Sequence, residues 1–428
     1  GPMTVSLTYQ NYSDADRITH CNEKLASFTE ADRPYTRLVF SKEYHAARAW
    51  LSDEFQALGL ECHSDTGGNL IGRRQAGAQA TAPQTVIIGS HIDTVPAGGR
   101  YDGIAGVITA MEVVHYLNAH QITLPFTLEV ADFLGEELNL WGTSCLGSRH
   151  MAGLLNAEML ARRDETGRIL GEEIAACGGS GMPPSGARPD AANILACFEL
   201  HIEQARSLYD ADIDIGVVTA LPAIDRYAIS MTGAVGHSGT TPMHGRKDAL
   251  VCASGIIQQV SMLAHDIASR SNQHFVATIG KLDVLPNGAT IIPGQVEMIL
   301  DVRSASNEAK SEFLASLADA VDEARQKTGC DIDLALLATA EIAPMDSSLQ
   351  SIITEQAQAL SLSHTPLASG AGHDSAHLSR FAPAAMIFIP CVDGLSHCAE
   401  ELTSSDAIAK GAAVIIRSIL SLAEQVAK

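Results

Sequence analysis

Thr85-Val86-Ile87-Ile88-Gly89-Ser90-His91-Ile92-Asp93 is the stretch on which the reading of the whole chain turns. An unbroken apolar run that ends in small residues fits a strand buried on both faces of a mixed or parallel sheet. A polar His-x-Asp triplet follows at once, at the strand's carboxyl end, where open α/β sheets gather their ligands. Working outward, Arg33–Leu58 has helical apolar spacing through Tyr44, Ala47, Trp50, Leu51 and Phe55, and 69–73 reads as a short strand. Ile104–Leu117 reads as a helix and Thr127–Phe133 as the next strand. This alternation predicts an α/β sandwich around a mixed sheet. Residues 172–192, rich in Gly, Pro, Ser and Ala, read as a long surface loop. Phe198–Ala205 returns to order, and Ile215–Thr219 reads as a strand leading outward.

From about 222 the pattern changes. Strand Arg226–Met231, helix Lys247–Ser269, strands Phe275–Val284 and Gln295–Val302, helix Glu308–Thr328 and strand Ile332–Ala338 give the order β-α-β-β-α-β, a ferredoxin-like unit. Apolar Met386-Ile387-Phe388-Ile389 and a helix over Ser404–Ala427 then resume the α/β character. The expected organisation is a catalytic domain in two parts, 1–221 and 339–428, carrying an inserted α+β domain at 222–338. That insert is read as a lid and dimerisation element, with hinges near Pro222 and Ala338. A chain of 428 residues exceeds what one ordinary core organises.

Composition narrows the partners. Lys plus Arg is 28 against 50 for Asp plus Glu, a formal charge of -22, which argues against nucleic acid because phosphate binding needs a basic face. Solubility alone accounts for such acidity. No apolar run in the sequence approaches the ~20 residues of a bilayer span, so no membrane partner is expected. Nine cysteines without a CxxC pair read as reduced thiols, and a cytoplasmic location is expected. Gly1-Pro2-Met3 reads as a protease-cleavage scar before a native Met, not a signal peptide.

Five candidate metal-ligand positions fall at five expected strand ends: His91, Asp102 in Tyr101-Asp102-Gly103 (which also precedes a helix), the pair Glu136-Glu137, His201 and His397. Imidazole with carboxylate suits Zn²⁺ first, with Mn²⁺, Co²⁺ or Ni²⁺ as alternatives. A carboxylate shared by two cations ~3.5–4 Å apart is the arrangement of two-metal hydrolases. Each signal alone is weak, since a histidine after a strand is ordinarily structural; the ordered set is specific.

That order, HxD, YDG, GEE, ELHIEQ, GHSGTTPMHGRKDA, GAGHD and SHCAEE, resembles the dinuclear zinc aminoacylase/glutamate carboxypeptidase superfamily. Within it, the ELHIEQ, GTTPM and GAGHD blocks resemble the branch of N-carbamoyl-L-amino-acid hydrolases, β-ureidopropionases and allantoate amidohydrolases. The resemblance covers nearly the whole chain. It implies two divalent metal ions: His91 and His201 on the first, Glu137 and His397 on the second, Asp102 bridging. It also implies Glu136 as general base and then acid, and Asp93 as the acceptor that fixes the His91 tautomer.

The same resemblance implies the substrate contacts. His237 would stabilise the oxyanion from a partner subunit, although on its residues alone it reads as a loop histidine capping a helix. Arg303 would hold a carboxylate bidentately, where the bland reading is a solvent-exposed strand end. Gln204 would meet the carbamoyl or amide group, and Gly372 and His373 would shape the pocket floor. The chain departs from the branch at Thr290, where relatives carry an Asn that assists the arginine, and at Leu138-Asn139-Leu140-Trp141 after the Glu pair. Leu138, Leu140 and Trp141 point either to a more hydrophobic substrate pocket or to packing beneath the site. Cys398, beside His397, reads as a structural thiol. The expected reaction is hydrolysis of a non-peptide C–N bond in a small carboxylate-bearing amide, first an N-carbamoyl-L-amino acid. Alternatives are allantoate, ureidoglycolate or another N-acyl conjugate. A non-catalytic dimeric binding protein is the rival of a different class. A homodimer through the inserted domain is expected, from the resemblance and from apolar stripes on 249–263 and 313–324.

Overall fold

The computed structural model describes residues 7–78, 80 and 83–428; the reading of Gly1-Pro2-Met3 lies outside them. Two compact units emerge, Gly1–Ala220 with Pro344–Lys428, and Leu221–Ala343, against boundaries of 222 and 338 read from sequence.

The first unit is built on an eight-stranded mixed sheet. Its strands run, edge to edge, Glu61–Ser64, Leu70–Arg74, Thr127–Asp132, Thr85–Ser90, Ile194–Ile202, Ala384–Ile389, Ile215–Val218 and His364–Leu367. Four central neighbours, 127–132, 85–90, 194–202 and 384–389, are mutually parallel. Thr85–Ser90, Thr127–Asp132 and Ala384–Ile389 are buried along their whole lengths, as a strand covered on both faces must be. Ile215–Val218 does not lead outward: it sits inside this sheet, antiparallel to Ala384–Ile389 and parallel to His364–Leu367.

Helices Ile104–Ala119 and Ser405–Ala427 pack together over the central strands. The helix expected over Arg33–Leu58 spans Lys42–Ala57. Ser41 caps it by accepting from the Tyr44 N–H, and Phe40 takes a left-handed φ of 68° that interrupts any earlier helix. Within the expected loop 172–192, Leu170–Ala176 forms a short helix that buries Leu170 and Ile174.

In the second unit strands Ala223–Thr232, Phe275–Leu285, Gln295–Ser304 and Asp331–Ala340 form an antiparallel sheet, in spatial order 331–340, 223–232, 295–304, 275–285. Helices Ala249–Arg270 and Asn307–Thr328 pack on it through Cys252, Ile256, Val260, Phe313, Leu317 and Val321. Phe313 is fully buried, so the 313–324 stripe serves this core; Val251 and Met262 on the other helix stay exposed. Ala249–Arg270 is long and apolar enough by length and composition to cross a membrane. Its inward side nevertheless lies in the sheet's core, and Gln258, Gln259, Asp266 and Arg270 interrupt the rest.

Candidate metal centre and its frame

The five proposed ligands converge in the first unit. His91, Asp102 and His201 form one group able to hold an ion, and Asp102, Glu137 and His397 form a second, so that Asp102 is common to both. His91 follows strand Thr85–Ser90, Glu136 and Glu137 follow Thr127–Asp132, and His201 is near the end of Ile194–Ile202. Asp102 precedes helix Ile104–Ala119, whose N-terminal cap is Gly103 at φ 78°. A Cβ there would lie 2.4 Å from the His91 ring, so both the turn and the close approach require glycine.

The distances define the chemistry. Asp102 Oδ1 lies 3.0 Å from His201 Nε2 and 3.3 Å from His91 Nε2, and its Oδ2 lies 3.0 Å from His397 Nε2. Glu137 Oε2 is 3.4 Å from His397 Nε2, and Glu136 Oε2 is 3.3 Å from His91 Nε2. His91 Nδ1 donates to the Asp93 carbonyl oxygen (3.0 Å) and His201 Nδ1 to the Ile202 carbonyl oxygen (2.8 Å). Carbonyls only accept, so both protons sit on Nδ1, and in the neutral rings both Nε2 lone pairs face carboxylate oxygen. His91 Nε2 is buried and makes no hydrogen bond. Lone pairs aimed at carboxylates need a cation between them or a second proton on the ring. The donor set therefore fits divalent metal.

The protonation directions agree. Burial alone would lower the His91 imidazole, but the carboxylates of Glu136, Asp102 and Asp93 hold it well above its usual range. His201 follows the same logic: burial lowers it and Asp102 raises it further. His397 is raised to about 11 by hydrogen bonds to Asp102 and Glu137. Burial would raise Asp102; His201 and the other imidazoles hold it well below the carboxylate range instead. Glu136 is raised well above that range, by burial first and by Glu137, Asp374 and Asp102 next, with His91 opposing. A carboxyl group displaced upward beside a candidate metal site suits proton transfer.

A buried polar frame fixes the loops. Asp93 fixes the His91 tautomer through its backbone carbonyl; its carboxylate, 3.3 Å from His91 Nδ1, accepts the Glu136 and Glu137 N–H groups at 3.1 and 3.0 Å. Asp132, fully buried, accepts the Ile92 N–H (3.1 Å) and the Arg48 Nε–H (2.8 Å). Arg48 also donates to the Gly68 carbonyl, and Arg37 donates to the Ile92 carbonyl (2.8 Å). Glu199 accepts from the Ser90 and Ser375 hydroxyls at 2.8 and 2.7 Å. Sequence reasoning missed Arg37, Arg48, Asp132 and Glu199. Arg48 alone left a sign: it interrupts the apolar stripe of its helix.

Gln204 donates from Nε2 to Asp102 Oδ2 (3.0 Å) and to Ser396 Oγ (2.9 Å), and thus adjoins the cluster. His373 is buried with its ring 4.3 Å from that of His201, and half-buried Gly372 precedes it. Trp141 is buried edge-on to Phe40 and covered by Arg168, so it packs; Leu138 and Leu140 are exposed. His397 adopts a left-handed φ of 57°, a strained conformation of the kind that clusters at functional sites.

His237, Thr290 and Arg303 belong to the second unit. The His237 loop pairs with the Thr290 segment, Ser238 N–H donating to the Thr290 carbonyl oxygen (2.9 Å), and His237 Nδ1 accepts from the Gly239 N–H (3.0 Å). Arg303 Nε donates to Asp301 Oδ1 (2.8 Å), and Asp301 Oδ2 accepts from buried Arg226 (2.9 Å). The Thr290 loop leads into one end of strand Gln295–Ser304 and Arg303 stands near the other, so the strand separates them by roughly 26 Å at ~3.3 Å per residue.

The description of peptidase family M20/M25/M40 matches residues 87–421. The chain is 34% identical to the N-carbamoyl-L-amino-acid amidohydrolase of Paenarthrobacter aurescens, over 96% of this chain and 98% of that one. It is 32% identical to the allantoate amidohydrolase of Bacillus subtilis (strain 168), over 97% and 99%. Among solved structures, a hydantoinase/carbamoylase-family amidase from Burkholderia vietnamiensis superposes with a TM-score of 0.90 at 33% identity, covering 97% of this chain and 99% of that one.

Proposed function

We propose, from the premise that this chain belongs to peptidase family M20/M25/M40, a dinuclear amidohydrolase whose substrate is an N-carbamoyl-L-amino acid. It is a hydrolase of non-peptide C–N bonds in linear amides, as its relatives' names indicate. The observation that carries the dinuclear reading is the pair of three-ligand groups sharing Asp102, with Glu136 3.3 Å from His91.

His91 and His201 would hold one cation, Glu137 and His397 the other, and Asp102 both. Such a pair supplies Lewis acidity toward the carbonyl and acidifies water at neutral pH. Zn²⁺ suits the donors first, then Mn²⁺, Co²⁺ or Ni²⁺. Glu136 takes the proton of the attacking water and returns it to the leaving nitrogen. Asp93 keeps the Glu136 backbone in place while it does so. Gln204 orients the carbamoyl group, Gly372 and His373 form the floor, and Arg303 holds the substrate carboxylate, with Thr290 and His237 on the other recognition loop. His237 donates to the developing oxyanion.

Arg303 and His237 stand near opposite ends of one strand. A small substrate touching both would take them from two copies of the chain, which supports a homodimer through the inserted unit. Exposed Val251 and Met262, with Val276, Leu282 and Leu285 on the edge strand Phe275–Leu285, offer the apolar surface. Light scattering should give a dimer; a monomer at working concentration would exclude His237 acting in trans.

The test is a substrate panel on chelator-stripped enzyme reconstituted with Zn²⁺, Mn²⁺, Co²⁺ or Ni²⁺. N-carbamoyl-L-amino acids should be hydrolysed with the highest kcat/KM. Preference for allantoate, ureidoglycolate or N-acyl amino acids would replace the substrate and keep the chemistry. Undiminished turnover by the stripped enzyme would refute the metal reading.

A further inference from the structure

We infer that Glu401 is a positioning residue that holds the bridging Asp102 and the second-group ligand His397 in register, and so sets the affinity of the second cation. The inference rests on the proposed two-cation reading. Glu401 is buried, 2% exposed. Its Oε1 accepts two successive backbone N–H groups, of Tyr101 (2.9 Å) and Asp102 (3.0 Å). Its Oε2 accepts from the Ser396 hydroxyl (2.9 Å), whose oxygen in turn accepts from Gln204 Nε2. One carboxylate thus ties two loops about 300 residues apart, one ending in Asp102 and the other presenting His397.

A second observation is independent of those bonds. A Cβ placed on Gly99 would lie 2.0 Å from Glu401 Oε1, so the loop before Asp102 leaves the space that this carboxylate fills. Both Glu401 oxygens are occupied by donors, and none of those donors belongs to His91, His201 or Glu136. Glu401 therefore acts on the reaction only through the ligands it orders. His397 is the ligand most in need of such support, being the exposed member of the set and held at a left-handed φ.

Outer partners of metal ligands typically govern affinity by about 10- to 100-fold. The test is competition of full-length protein against a calibrated chelator for Zn²⁺, using wild type, Glu401→Ala, Glu401→Gln and Gly99→Ala. Wild type should bind two ions. Glu401→Ala should bind the second ion about 10- to 100-fold more weakly and the first by less, because Asp102 serves both groups while His91 and His201 are left in place. Glu401→Gln should lose less, because its amide oxygen still accepts both N–H groups, and excess metal should restore its kcat. Wild-type affinity at both sites of folded Glu401→Ala would overturn the inference, as would a kcat loss in Glu401→Gln that metal does not relieve. If Glu401→Ala gives no cooperative melt, Gly99→Ala decides: it displaces the carboxylate without removing it and should show the same selective loss, and two undisturbed sites would end the idea. Wild type binding fewer than two ions would instead remove the reading underneath it.

Discussion

The candidate ligand cluster of the first unit and the proposed recognition residues of the second are built in opposite ways. His91, Asp102 and His201 are buried, and the loops that carry His91 and the Glu136-Glu137 pair are held by backbone and side-chain bonds from Asp93, Asp132, Arg37 and Arg48. His237 lies in an exposed loop with one hydrogen bond from Gly239 to its ring, and Arg303 leans on a single acidic neighbour, Asp301. Groups that meet charge at every turnover are fixed in advance, where low dielectric strengthens them. The proposed substrate-facing groups have fewer fixed partners.

The largest effect should come from the centre of the fixed cluster. Glu136→Gln should lower kcat by about 10²- to 10⁴-fold, the usual contribution of a positioned proton carrier, with metal content unchanged by elemental analysis. A variant with full activity would remove Glu136 from the mechanism. The frame can be broken apart from the chemistry. Arg48→Met leaves Asp132 buried without its cation and should cost about 3–5 kcal/mol in denaturant unfolding. An unchanged midpoint would mean that the frame is not what holds the cluster.

The recognition side invites a mixing experiment. Arg303→Ala should cost about 1.5–3 kcal/mol in kcat/KM, the range for a bond to a charged group, and Arg303→Lys should not recover it. His237→Ala should fall as well. If the two act from different copies, dissociating and remixing the two variants should restore about a quarter of wild-type activity, since half the dimers are mixed and each of these has one intact site. No recovery in dimers shown to be mixed would place both residues in the same protomer.

The same contrast explains what could be read from sequence. His91, Glu136, Glu137 and His201 were legible because each lies at the end of a continuous or nearly continuous apolar strand, a local signal. The β-α-β-β-α-β order was legible because its periods alternate within single segments. Arg48 meeting Asp132, and Glu401 meeting Tyr101, were not, because such pairs are joined across long stretches of chain by the fold alone. The same limit misplaced Ile215–Val218, whose apolar run fits an edge as well as the sheet interior it occupies. It also misassigned the 313–324 stripe, whose partner, the sheet, is assembled from four separate segments. The helix start at Lys42 was missed for a local reason: Ser41 is a stronger boundary than apolar spacing extended back through Pro34.

The smallest effect concerns protons, and its sign follows from the two ends of the cluster. In metal-free protein, His397 is raised to about 11. Its contribution to stability is therefore complete below the unfolded imidazole value near 6.5 and disappears as pH rises through about 11. Asp102 is held below its ordinary range, so its contribution is present above the unfolded value near 3.9 and disappears as pH falls through its folded value. The half-exposed His397 side chain makes the first contribution small and screened by salt. A metal ligand must give up its proton, so loading the second group near pH 7 should release protons, and affinity should weaken as pH falls. Calorimetric titration with Zn²⁺ in buffers of different ionisation enthalpy measures that release directly. Binding without proton release would mean that His397 is already neutral in the metal-free protein and that its contacts with Asp102 and Glu137 do not hold a proton on its ring.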